Sequence, residues 1–345
     1  MCMRPLRRMG ACLEAMFLGD KAMSQPLPPA IHNTQFEPEF IGTHAASDYA
    51  LAGPLTCEFI RRGFNDHYLI TTPETKYVFR VYFQGKYYIA GADDFRFELE
   101  LLDYLHSRQV PVAAPVPTKA GELLGHLVGP EGTRYTALFR YAEGEEKAAL
   151  NPIRGYRLGL TLARFHEAAD TYRTSYSRYH FDLSYLVERP MALIRNVFDY
   201  YDRAAELEPF LPALAEWQAT VRRIPMLAPT YGIIHGDPHG ANYRVTQENE
   251  ITLFDFDHGG YGWRAYDAAV CKGRMTAETW EAFAQGYSEV RALTPEELDA
   301  IPAFGKIRPI WDEGDMLAMY PVWGEPVPGP DFCDRIVALF KDLTA

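Results

Sequence analysis

The residues able to do chemistry are concentrated in two short stretches, IIHGDPHGANYRV (233–245) and LFDFDHGGYG (253–262). Both set polar side chains directly behind an apolar run, so histidines, aspartates and an asparagine sit at the mouths of what read as buried strands. Asp237 and Asn242 are five residues apart, and Asp255 follows thirteen residues later at the end of ITLF. The order H-x-D-x-x-x-x-N, then D-F-x, is that of a phosphoryl-transfer loop. A γ-phosphoryl group in transit carries spread negative charge, which calls for Mg²⁺, hard oxygen ligands for that ion, and an aspartate at the attacking hydroxyl. Asn242 offers a neutral carbonyl oxygen and Asp255 a charged one, both suited to octahedral magnesium. Asp237 would accept the hydroxyl proton or orient the hydroxyl in line with phosphorus. Turn chemistry is the competing explanation, because His, Asp and Asn side chains bond local backbone in many loops. A bare D-x-x-x-x-N means little; the conjunction of apolar run, HGD, Asn, β run, apolar run and DFD is what points to phosphoryl transfer.

Such loops need a scaffold on both sides. A chain of 345 residues exceeds one domain of ~150 and predicts two domains or one large bilobed one. HYLITT and KYVFRVYF, separated by a turn led by Pro73, read as a hairpin. DDFRFELELLDYLHSR places Phe95, Leu99, Leu102 and Leu105 on one helical stripe, with aspartates at its start and Pro111 beyond its end. GELLGHLV and YTALFRY suggest further strands. Beyond EGEE (143–146) the pattern turns helical. Asn151 followed by Pro152 marks a capped helix start that runs through YRLGLTLARFHEAA. Further helices are expected near 190–204, 209–223 and 277–290, and Thr294 with Glu297 forms a capping box. A strand-rich lobe followed by a helix-rich lobe is an α+β arrangement, with the cleft between them as the ligand site. The expected division is an extension over 1–30, a β-rich nucleotide-binding lobe over 31–141 and a helical lobe over 142–345. The opening MCMRPLRRMGACLEAMFLGD has a basic start and a short apolar patch, but Glu14 interrupts the patch and no small-residue cleavage site follows. A disordered tail, or a start at Met23, fits it better than a secretory signal.

HGDPHGAN followed by LFDFD resembles the aminoglycoside phosphotransferase superfamily, which also includes homoserine, choline and fructosamine kinases and a bacterial stress-response protein kinase. The signature has Gly236 where ordinary protein kinases have arginine, and Asp257 where they have glycine. YVFRVY resembles that family's N-lobe strand, with Arg80 where protein kinases place lysine. FELELLDYL resembles its first long helix, with Glu98 at the ion-pair position. LGLTLARFHEAA and GWRAYDAA, the latter with Asp267, resemble its later segments, so the match spans about residues 55 to 275. VPVAAPVPTKAG looks like the homoserine kinase and stress-response subgroup. The resemblance implies a protein kinase-like bilobal fold, a small antiparallel β N-lobe and a larger, mainly α-helical C-lobe, using ATP and Mg²⁺. It implies Arg80 on the α- and β-phosphates, with Lys86 as a nearby substitute, and Glu98, ahead of Glu100, holding Arg80. Gly63 to Asn65 is either a phosphate-covering turn or a plain hairpin loop, and Phe139 to Tyr141 form the hinge that meets adenine. Asn242 and Asp255 hold the metal, with Asp257 a second ligand or a loop anchor. His235 braces the loop, and His166 is a packed helix residue rather than a catalyst.

Asp267 comes only twelve positions after Asp255, and no A-P-E follows, which leaves no room for the peptide-docking segment of protein kinases. A small hydroxylated molecule is therefore the expected acceptor, with Trp263, Tyr266, Arg308 and Trp311 as candidate pocket residues; a Ser/Thr protein kinase of the stress-response type is the alternative. The net charge of −12 would repel phosphate backbones and anionic lipid, which argues against nucleic-acid and membrane partners and weakly favours a cationic acceptor. Five scattered cysteines without CxxC spacing suit a reducing cytoplasm. A two-metal hydrolase on His235, Asp237, His239, Asp255 and Asp257 is the reading from another class, with Zn²⁺ or Mn²⁺ and no use for ATP. It leaves Asn242, Arg80 and Glu98 unexplained.

Overall fold

The structure, a computed structural model, describes residues 33–345. The expected 1–30 extension and its signal-like opening lie outside the described residues.

Alternating side chains build the first lobe as an antiparallel sheet. Thr56–Arg62 (β1), Asn65–Thr71 (β2) and Lys76–Tyr82 (β3) form a meander, to which Pro115–Val116 (β4), Gly125–Gly129 (β5) and Gly132–Arg140 (β6) are added. The strand order is β1-β2-β3-β6-β4, with β5 paired to β6. The hairpin around Pro73 is β2–β3, and the runs near GELLGHLV and YTALFRY are β5 and β6. The edge strand β1 was not expected. Its outward face carries Glu58, Ile60 and Arg62, and a register shift between Phe59 and Arg61 interrupts the pairing, so polar alternation is masked in the sequence. A helix over Pro38–Asp48 (α1) is also new. It buries Ile41 and Ala45 against a core of Tyr68, Ile70, Phe79, Val81 and Leu138.

The expected helix after the hairpin is Ala92–Ser107 (α2). Phe95, Leu99, Leu102 and Leu105 are buried on it, and Asp94 Oδ2 caps its start by accepting the Gly91 N–H at 3.1 Å. Those leucines belong to the large core that continues into the second lobe.

That lobe holds Pro152–Asp170 (α3), Arg189–Tyr200 (α4), Leu211–Val221 (α5), Arg264–Lys272 (α6), Ala277–Ser288 (α7), Pro295–Trp323 (α8) and Asp331–Thr344 (α9). Asn151 caps α3 by accepting the Arg154 N–H at 2.9 Å, with Pro152 in the first turn. The capping box at Thr294 and Glu297 opens α8, which then runs for 29 residues through Pro302, Pro309 and Pro321. Two small sheets set the loops. Glu145–Glu146 (β7), Tyr243–Val245 (β10) and Ile251–Leu253 (β11) form one, in the order β11-β10-β7. His180–Phe181 (β8), Tyr231–Ile234 (β9) and Gly260–Trp263 (β12) form the other, in the order β8-β12-β9. This antiparallel-sheet lobe joined to a helical lobe is the protein kinase-like fold.

Candidate active site

Strand β9 ends at Ile234 and delivers the loop that carries His235, Asp237 and Asn242. His235 is buried, and its hydrogen bonds set its tautomer. Nδ1 accepts the Asp237 N–H at 3.3 Å, so Nε2 carries the proton and donates to the Phe254 carbonyl at 3.0 Å. Burial pushes its pKa down to about 4, so it stays a neutral brace between the two functional loops. Asp267, on α6, anchors the same turn. Its Oδ2 accepts the His235 N–H at 2.8 Å and its Oδ1 the Gly236 N–H at 2.9 Å. His166 Nε2 lies 3.1 Å from that Oδ2 while Nδ1 meets the Tyr287 hydroxyl. Gly236 has φ +80°, and a Cβ there would stand 2.4 Å from the His258 carbonyl oxygen. A side chain at this position would collide with backbone, which is the physical reason for glycine.

Asp237 is held from three directions. Arg308 Nη2 donates to its Oδ1 at 2.8 Å, while His239 Nε2 and Asn242 Nδ2 each lie 3.3 Å from its Oδ2. Burial alone would raise its pKa, but Arg308 and His239 outweigh burial and hold the carboxyl well below the usual carboxylate range. Asn242 Nδ2 also donates to the Asp237 carbonyl at 2.9 Å, which leaves Oδ1 as its uncommitted atom.

Strand β11 leads to Asp255, whose backbone is left-handed at φ 63°. Its Oδ1 accepts from Arg80 Nη2 at 3.0 Å, and Arg80 Nη1 donates to Glu98 Oε1 at 2.8 Å. The structure therefore brings the strand arginine, the α2 glutamate and the loop aspartate into one chain of contacts. Glu100 is exposed on the opposite side of α2. His67, not anticipated, accepts from Arg80 Nε at 3.2 Å.

Asp257 and Asn65 border the cleft, but their polar atoms are committed to one another. Lys86 Nζ lies 2.7 and 2.8 Å from the two Asp257 oxygens, Asn65 Nδ2 donates to Oδ2 at 3.1 Å, and the Tyr88 hydroxyl donates to Oδ2 at 2.9 Å. Asn65 Oδ1 in turn accepts from Phe83 N and Lys86 Nζ. Geometry revises three expectations here. Lys86 is buried beneath an aspartate rather than free to replace Arg80; Asn65 is a brace instead of a phosphate contact; and of the two roles weighed for Asp257, loop anchor fits.

Two hollows meet at Asp255 and His67. One, of about 660 Å³, is lined by Val78, Leu102, Ala113, Phe139, Tyr141 and Arg80. The other, of about 1080 Å³, contains Asp237, Asn242 and Asp255 together with Arg308, Trp311, Asp312 and Asp315 of α8. Trp263 and Tyr266, expected to line the acceptor pocket, do not. Trp263 is core, its Nε1 bonded to the Ile224 carbonyl, and the buried Tyr266 meets Arg308 through its hydroxyl. Asp312 and Asp315 were missed, although Arg308, Trp311, Asp312 and Asp315 follow the i, i+3, i+4, i+7 spacing of one helix face. The proline-interrupted segment hid that helix. Burial pushes Asp315 up to about 6; its Oδ1 accepts from the Tyr87 hydroxyl at 2.6 Å.

Oxygen donors suit a hard divalent cation, and Asn242 Oδ1 and Asp255 Oδ2 are uncommitted among the described residues, so the residues present fit magnesium. The hydrolase alternative loses a ligand, since both His235 nitrogens are engaged by backbone. Among the described residues no group of three or more His, Cys, Asp or Glu side chains is arranged to hold a metal ion.

A sheet lobe whose arginine–glutamate pair faces a loop aspartate, set over a helical lobe bearing an HGD turn with its asparagine, defines a kinase-like phosphotransferase. The chain belongs to the phosphotransferase enzyme family, whose model matches residues 56–301. It is similar to a Deinococcus radiodurans protein described as uncharacterized, 35% identical over 317 residues that cover 88% of this chain and 89% of that one. Among solved structures it resembles a microcompartment-associated aminopropanol kinase, with a TM-score of 0.72, 21% identity, and coverage of 88% and 95%. It also resembles an amicoumacin kinase in complex with AMP-PNP, Ca²⁺ and Ami, with a TM-score of 0.68, 18% identity, and coverage of 89% and 93%. At those identities the structural likeness is one of fold.

Proposed function

We propose that this enzyme transfers the γ-phosphoryl group of Mg-ATP to a hydroxyl of a small, amine-bearing molecule. One observation carries the reading: Asp237, Asn242 and Asp255, from two separate loops, border a single hollow that adjoins the apolar one lined by Val78, Leu102 and Phe139. The apolar hollow suits adenine, with Arg80 toward the phosphates. A divalent cation held by Asn242 Oδ1 and Asp255 Oδ2 would neutralise charge on the phosphate chain. Asp237 Oδ2 takes the acceptor's proton, or aligns the hydroxyl, as its oxygen bonds to phosphorus and ADP leaves. Asp312 and Asp315 give the acceptor side its negative charge, which supports an ammonium-bearing alcohol over an anion. Among the described residues no helix is long and apolar enough to cross a membrane. Use of ATP and the free thiols at Cys57, Cys271 and Cys333 agree with a cytoplasmic setting.

The test is an ATP-depletion screen with Mg²⁺ over 1-amino-2-propanol, L-homoserine, choline and aminoglycosides, with a generic protein substrate included. Turnover with an amine-bearing small alcohol is expected. Asp237→Asn should lower that turnover by roughly 10²–10⁴ while Mg-ATP affinity is nearly kept, whereas Asp255→Asn should weaken Mg-ATP in a calorimetric titration. Transfer to the protein alone would favour the Ser/Thr kinase alternative.

A further inference from the structure

Resting on that reading, we propose that Arg308 is the positioning residue of the transfer step: it fixes Asp237 for the acceptor's hydroxyl and touches neither acceptor nor phosphate. The guanidinium has five N–H donors; four of them make hydrogen bonds to the protein, and Nη2 is also in ion-pair contact with Asp312. Nε donates to Asp312 Oδ2 at 3.0 Å; Nη1 donates to the Gly236 carbonyl at 3.2 Å and the Tyr266 hydroxyl at 3.1 Å; Nη2 meets Asp237 Oδ1 at 2.8 Å and Asp312 Oδ1 at 2.7 Å. The guanidinium carbon also lies 4.5 Å from the centre of the Trp311 ring. Although Arg308 borders the acceptor hollow, every nitrogen of its guanidinium is already engaged by the protein itself.

What it holds is the reacting segment itself. One nitrogen grips the carbonyl just before Asp237 and the other grips the carboxylate, so the backbone and side-chain torsions of Asp237 are set from a helix 71 residues further on. Oδ1 is held by a short charge-assisted bond, and Oδ2, whose contacts are both 3.3 Å long, is the more weakly held oxygen and the one assigned to the hydroxyl. Asp312 fixes the guanidinium plane through two parallel contacts. Lysine, a single ammonium on a flexible stem, cannot span the Gly236 carbonyl, Asp237, Tyr266 and Asp312 at once.

The experiment uses the full chain with Mg-ATP and the fastest acceptor among 1-amino-2-propanol, L-homoserine and choline. Arg308→Met and Arg308→Lys should each lower kcat by roughly 10²-fold, the cost of a small misplacement at a reacting group. The KM values for ATP and acceptor should stay within about twofold, and lysine should not rescue. Adding Arg308→Met to Asp237→Asn should cause no further loss, because the arginine acts through that carboxylate. If the methionine variant fails to fold, Arg308→Lys carries the same test, and Asp312→Asn should lower kcat in the same sense. A lysine variant at wild-type kcat, a loss confined to acceptor KM, or losses that multiply in the double variant would overturn the proposal. A wild type inactive on the whole panel, or an Asp237→Asn variant at full rate, would instead mark failure of the phosphotransfer reading beneath it.

Discussion

His235 shows how burial, not residue type, sets a protonation state. Its folded pKa is about 4, against roughly 6.5 for the unfolded chain. Between those values the unfolded state binds a proton that the folded state does not, so stability falls as pH drops from 6.5 towards 4, by up to about 1.4 kcal/mol per unit. His67, lowered to about 3 by burial, adds in the same direction, while Asp267, raised to about 7 by burial, acts in the opposite one. A comparison with His235→Asn isolates the single residue. Urea unfolding at several pH values between 6.5 and 4 should give a slope shallower by about one proton in the variant, and equal slopes would count against a neutral brace. The aspartates and asparagine of this site were readable because their spacing is local; the bonds that orient them come from residues far along the chain.

At the scale of elements, α3 and α7 approach closely through glycine. A Cβ on Gly159 would lie 2.0 Å from the Phe283 carbonyl oxygen, and one on Gly286 would lie 2.0 Å from that of Tyr156. Alanine normally stabilises a helix interior over glycine by roughly 0.5–1 kcal/mol. Here the backbones must separate, and overpacking of this kind costs about 1–3 kcal/mol. Gly159→Ala should therefore lower the thermal midpoint, and a higher midpoint would contradict the close crossing. Strong punctuation made α3 legible through Asn151 and Pro152. Helix α8 was legible only at its capping box, because proline costs about 3 kcal/mol in a helix interior and three prolines argue against one continuous element. Burial of Phe304, Ile307, Ile310, Trp311 and Leu317 offsets that cost, and no local pattern announces it.

Across the whole molecule, the lobes are joined by buried polar contacts as well as by apolar packing. Lys86 follows β3, and its ammonium neutralises Asp257 of the second lobe with Asn65 and Tyr88 around it. The Trp323 indole, at the end of α8, donates to the Gly63 carbonyl in the β1–β2 turn at 3.2 Å. The β1–β2 turn is thus tied to α8. Removing one partner of a buried pair leaves an uncompensated charge, typically costing 3–5 kcal/mol. Lys86→Met should destabilise the chain by about that much in denaturant unfolding, and Lys86→Met with Asp257→Asn should recover much of the loss. A single methionine variant as stable as the parent would mean the ammonium does not neutralise Asp257.

Neighbours along the chain were enough for the two-lobe order of strands and helices, the HGD turn with Asn242 and the DFD turn, while the roles of Arg80 and Glu98 were legible only through the family resemblance of their segments. Tertiary structure decided whatever requires distant segments to converge. It put Asp257 under Lys86, spread the Arg308 guanidinium over Asp237, the Gly236 carbonyl, Tyr266 and Asp312, and carried α8 through its prolines. The division follows from range: propensity and periodicity act over a few residues, whereas desolvation and hydrogen-bond saturation depend on everything that packs against a group.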